Sequence, residues 1–81
     1  MFDKTILQSD EKFRYQLLGR MQSDCLYYLG YGNRNKRVLW AVDEKSQISG
    51  MKELWKSFAT NQKPEWLTWN EILKYETEML G

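Results

Sequence analysis

Apolar residues recur at steps of three and four along three stretches of the chain, and two polar segments break the period between them. The first and longest stretch, Asp10 to Leu29, puts Phe13, Leu17, Leu18, Met21, Cys25, Tyr28 and Leu29 on one side of a cylinder. The second carries Ile48, Met51, Leu54, Trp55 and Phe58 on its stripe and persists to about Ala59. The third carries Trp69, Ile72, Leu73, Tyr75, Met79 and Leu80. This spacing predicts helices over 10–30, 43–59 and 69–80 and no sheet. A helix with one apolar stripe needs a cover, so the three are expected to close on one another.

The polar residues mark where these helices start and stop. Ser9 or Asp10 can accept a hydrogen bond as N-cap of the first helix, and the carboxylates of Asp10 and Glu11 suit the positive end of its dipole. Asp43 serves in the same way for the second. Thr68 and Glu71 have the spacing of a capping box, and Leu67 and Ile72 that of a hydrophobic staple, so the third helix starts at Trp69. Gly30, Gly32 and Asn33 tolerate a left-handed backbone and should end the first helix, while Pro64 prevents helix across the second loop. Gly19, inside the first helix, costs about 1 kcal/mol relative to alanine, which points to another backbone packing closely there.

Val38–Val42 is too short for a helix of its own and is read as a buried connector that carries Leu39 and Trp40 into the core. Residues 1–9, with Phe2, Ile6 and Leu7, form an arm that docks on the domain or on a partner. The expected fold is therefore all-α: one compact three-helix domain over residues 1–81, with a short buried connector between helices 1 and 2.

Composition sharpens this picture. A domain of 81 residues buries only about 60–65% of the surface its unfolded chain exposes, yet 42% of the residues are hydrophobic and 15% aromatic, so some rings must stay outside. The net charge of +1 favours neither a nucleic-acid binder driven by overall charge nor an acidic mimic of one. One cysteine excludes an internal disulfide, and the absence of histidine removes the commonest metal ligand and general base. No stretch has the ~20 apolar residues of a membrane span, and the first residues lack a signal-peptide pattern, so the expected compartment is the cytoplasm.

No arrangement of residues suggests catalysis, a metal or a cofactor. Cys25 lies on the apolar stripe of the first helix and is expected to be a buried, inert thiol. Gly30-Tyr31-Gly32 follows a helix where a phosphate-cradling loop would precede one, and it lacks the Gly-Lys-Ser/Thr ending. A binding surface is what remains. Tyr31, Asn33, Arg34, Asn35, Lys36 and Arg37 combine a ring, amides and three cations, chemistry that suits an acidic protein patch or a nucleic-acid backbone. Trp66, Tyr15, Tyr27 and Trp69 are the other rings expected to be partly exposed, as interface residues often are. Lys45, Lys52 and Lys56 share a face of the second helix and are read as solvated, with a phosphate-tracking stripe as the alternative.

The segments Asp24-Cys25-Leu26-Tyr27-Tyr28-Leu29-Gly30-Tyr31-Gly32-Asn33-Arg34 and Lys63-Pro64-Glu65-Trp66-Leu67-Thr68, with Arg14-Tyr15-Gln16-Leu17-Leu18, Leu39-Trp40-Ala41 and Met51-Lys52-Glu53-Leu54, resemble the type-eleven large polyvalent protein-associated domain over residues 14–79. The resemblance implies a home in phages, prophages and conjugative elements, within very large proteins or as short free-standing products, of which this chain would be one. It implies action on entry into a host, in protection against host defences, and supplies no catalytic residues. The expectation is a non-enzymatic protein of a mobile genetic element that binds a host protein through Tyr31, Asn33, Arg34, Lys36, Arg37 and Trp66. Nucleic-acid binding by the 33–37 loop and self-association as a homodimer are the alternatives.

Overall fold

Asp10, Asp43 and Thr68 each set the first turn of a helix. In the computed structural model, which describes residues 4–80, the Asp10 carboxylate accepts from the Phe13 N–H at 2.8 Å and that of Asp43 from the Ser46 N–H at 2.8 Å. Thr68 and Glu71 satisfy each other's backbone N–H groups with their side-chain oxygens, both at 3.2 Å, which is the reciprocal cap their spacing predicts. The helices that follow are α1 Glu11–Leu29, α2 Glu44–Lys56 and α3 Trp69–Leu80. No strand occurs among the described residues.

The chain runs up, down and up. Arg14, near the start of α1, donates to the Ser57 hydroxyl just past α2 at 2.7 Å, and Tyr28, near the end of α1, donates to Glu44 at the start of α2. Trp55, late in α2, donates its indole N–H to the Leu67 carbonyl just before α3, and Lys52 pairs with Glu76 at 2.8 Å. α2 therefore lies antiparallel to both others, and α1 and α3 run in the same direction.

Between the helices sits a core of Leu18, Met21, Cys25, Ile48, Met51, Leu54, Leu67 and Ile72, each fully shielded from solvent. Ile6 and Leu7, in a 3-10 turn over Lys4–Gln8, pack against it half-buried. Phe2 lies outside the described residues.

Several expectations are revised. Phe13 stands 44% exposed, because the first turns of α1 reach beyond what α2 and α3 cover. Gly19 meets no backbone: a Cβ there would sit 3.7 Å from the ring of Trp66. α2 ends at Lys56, and Phe58 enters the core from the coil beyond it. In the connector a 3-10 turn over Lys36–Val38 precedes Leu39 and Ala41, which are buried, while Trp40 is only partly so. Neither Gly30 nor Gly32 is left-handed; Asn33 and Arg34 are, at φ 51° and 58°. Gly32 serves close approach instead, since its N–H reaches the Tyr27 carbonyl at 2.7 Å and a Cβ would lie 2.9 Å from that oxygen.

One polar residue lies wholly within the core. Gln47 accepts from the Ala41 N–H at 2.9 Å and donates to the Met21 carbonyl at 3.1 Å, so a single carboxamide ties α1, the connector and α2 together.

Candidate partner-binding surface

The loop after α1 is held at many points. The Gly32 N–H bonds Tyr27, the Arg34 N–H bonds the Tyr28 carbonyl at 2.9 Å and the Asn35 N–H bonds that of Gly32 at 2.9 Å. The Asn35 side chain then caps the following turn by accepting from the Arg37 N–H at 3.0 Å. Arg34 spans outward, donating to the Glu78 carbonyl at 2.9 Å in the last turn of α3 with its guanidinium 5.9 Å from the centre of the Tyr28 ring. A cation at that carbonyl-rich end also opposes the negative pole of the α3 dipole.

The structure thus brings Tyr31, Asn33, Arg34, Lys36 and Arg37 together in one fixed loop. Tyr31 is 90% exposed, and Lys36 and Arg37 are exposed beside it. Arg34 holds the loop to α3, and Asn33 supplies the first of its left-handed positions. Trp66 stands apart. Its indole N–H donates to the Tyr15 hydroxyl at 2.7 Å, its ring lies edge-on to Tyr15 at 5.3 Å, and its carbonyl accepts from Gln22 at 3.4 Å, so it packs against the middle of α1 although 37% of it remains exposed.

Two lysines of α2 are engaged as well. Lys52 is bound to Glu76, and the Lys56 ammonium lies 5.1 Å from the centre of the Trp69 ring; Lys45 is exposed. A free lysine stripe needs all three, and α3 occupies two of them.

Between α1 and α3, downstream of Trp66, runs a groove of about 410 Å3. Leu26, Leu29 and Gly30, at the end of α1, line it together with Glu71, Lys74, Tyr75 and Glu78 of α3. Leu26 is 56% exposed, an apolar side chain that lies off the buried stripe of α1. The neighbouring ring of Tyr27 is about half exposed. Sequence reasoning missed this groove because Leu26 falls off the stripe facing α2, and only the placement of α3 shows what lies beside it.

Burial and hydrogen bonds within the fold shift several titratable groups. Burial pushes the Cys25 thiol up to about 12, and its sulfur lies 3.5 Å from that of Met51. The hydrogen bond from Tyr28 holds Glu44 below the usual carboxylate range, and the same bond raises the Tyr28 phenol. Asp24 accepts from the Trp40 N–H at 2.9 Å and lies 3.9 Å from Arg20, yet burial outweighs both and raises its carboxyl. Among the described residues no cluster of histidine, cysteine and carboxylate side chains could hold a metal ion, and no helix is long and apolar enough to cross a membrane.

Comparison with curated proteins and with solved structures finds no match to either. The profile of one family, described as Large polyvalent protein-associated domain 11, matches residues 11–79, from the first residue of α1 to the last but one of α3. That span includes the pinned loop and the groove, and the chain belongs to this family.

Proposed function

We propose that the domain is a non-enzymatic binding protein of a phage or other mobile genetic element, working in the host cytoplasm by contact with a host protein and directed against host defence. The observation that carries this reading is the exposure of Tyr31, Lys36 and Arg37 on a loop whose backbone is hydrogen-bonded to the end of α1 and which Arg34 ties to α3. A loop tied by this many hydrogen bonds loses little entropy when it binds, and an exposed tyrosine beside cations is the composition of an interface centre facing an acidic patch. Membership of the family agrees with the mobile-element setting.

Capture from host lysate by the wild type and by Tyr31→Ala/Lys36→Glu/Arg37→Glu tests it. The reading expects one or more host proteins held by the wild type and lost by the variant. Equal recovery of every partner removes the loop from the function. A nucleic-acid probe retained at ~50 mM salt, with affinity falling about one power of salt per phosphate contacted, would reassign the loop to a phosphate backbone.

A further inference from the structure

On the exposed side of α1, Lys12, Gln16, Arg20, Ser23 and Tyr27 follow one another at steps of three and four. No acid interrupts this ridge. The segment that follows the helix, residues 30–42, holds Arg34, Lys36 and Arg37 and again no acid. Where ridge and segment meet lies a cleft lined by Ser23, Asp24 and Tyr27 of α1 and by Val38, the last residue of the 3-10 turn.

The apolar side chains of the cleft are the Tyr27 ring, about half exposed, and the partly buried Val38. The loop backbone lies against that ring, since a Cβ at Gly32 would stand 3.3 Å from its Cδ1. Asp24 is the one acid here, and its carboxylate is turned inward: it is 15% exposed and accepts from the Trp40 N–H at 2.9 Å. Arg20, one turn earlier on α1, is 64% exposed, with its Nε 3.9 Å from that carboxylate. Arg37, next to Val38 in the chain, has no carboxylate within ion-pair distance among the described residues. Each of the two elements that form the cleft therefore carries an apolar side chain and an exposed arginine.

The complement of such a surface is a peptide that sets an apolar side chain among acids. A nucleic-acid strand suits it less, because a strand bears a negative charge at every nucleotide and offers none of its phosphates an apolar contact or a place beside Asp24. We propose that the cleft takes an acidic segment of the partner protein, with an apolar side chain between Tyr27 and Val38 and carboxylates on Arg20 and Arg37. This rests on the reading of the neighbouring loop as a protein-binding surface, and it extends that surface onto α1.

Selection of displayed random peptides on the full chain tests the proposal, followed by amide shifts of the isotope-labelled chain on addition of a selected peptide. The recovered peptides should carry aspartate or glutamate around an apolar residue, and the amides of Ser23, Asp24, Tyr27 and Val38 should move. Tyr27→Ser should weaken the selected peptide by about tenfold or more, and Arg20→Gln with Arg37→Gln by about threefold or more. Tyr27, Arg20 and Arg37 are exposed, so an unchanged helical circular dichroism spectrum separates lost binding from lost fold. Failure to enrich any peptide, enrichment without acids, or affinity indifferent to Tyr27→Ser overturns the proposal. A single-stranded oligonucleotide that moves the same amides and binds more tightly than any selected peptide overturns it in favour of nucleic acid. Host proteins kept by Tyr27→Ser but lost by the loop variant sink the cleft alone; peptides that seat in the cleft while no host protein is captured sink the host-protein reading alone.

Discussion

Arg34 fastens the loop to the Glu78 carbonyl at 2.9 Å while its own backbone is left-handed at φ 58°. That conformation costs a residue with a Cβ about 1–2 kcal/mol, so the position holds a side chain against the preference of its backbone. The two effects separate by substitution. Arg34→Ala keeps the strain and loses the hydrogen bond, and should lower stability by about 0.5–1.5 kcal/mol. Arg34→Gly loses the bond and relieves the strain, and should stand closer to the wild type. Urea unfolding midpoints of the two variants decide it; equal losses would show that the left-handed backbone carries no cost here.

Two glycines should respond to alanine with opposite sign. Gly19 is helical and its Cβ would make ordinary contact with Trp66 at 3.7 Å, so Gly19→Ala should stabilise by up to about 1 kcal/mol. At Gly32 the Cβ would lie 2.9 Å from the Tyr27 carbonyl oxygen, and backbone must move. Thermal melting should rise in the first variant and fall in the second.

Gln47→Leu keeps the volume and removes both hydrogen bonds. The Ala41 N–H loses its acceptor inside the core, so the variant should be destabilised by about 1–3 kcal/mol despite its greater hydrophobicity. Chemical denaturation measures this. An unchanged midpoint would mean that the connector satisfies itself without the carboxamide.

The Tyr28–Glu44 bond makes stability depend on pH at both extremes. Glu44 has its folded value depressed, so its contribution is present above its ordinary 4.5 and is lost as pH falls through the lower folded value. Tyr28 has its folded value raised, so its contribution is present below its ordinary 10.0 and is lost as pH rises through the higher one. Tyr28→Phe should flatten both limbs of a stability profile recorded from acid to alkaline pH. A profile with the same limbs in the variant would place the dependence elsewhere.

The parts of the fold that the sequence makes legible are those set by neighbours in the chain. Asp10, Asp43 and the Thr68–Glu71 pair cap helices within one turn of themselves, and the three helix starts fall where those residues require. Helix ends and exposure depend on distant elements instead. Phe13 shares the period of Leu17 but outruns its cover, Gly19 answers to Trp66, and Val42, in the connector expected to be buried, is 57% exposed. The composition of the loop after α1 is legible in the sequence. Its hydrogen bonding is not, because the bonds from Arg34 to Glu78 and from the loop to α1 carbonyls depend on how the chain folds back.

Four of the buried side chains are sulfur-bearing, the thioethers Met21, Met51 and Met79 and the thiol Cys25. Unbranched thioethers bend to fill whatever space their neighbours leave, so the interior can reshape around a changed residue where a branched, rigid interior would keep a void. The domain can then diverge inside as well as outside without coming apart. The same softness leaves it open to peroxide, since a single sulfoxide would put a dipole where no partner waits.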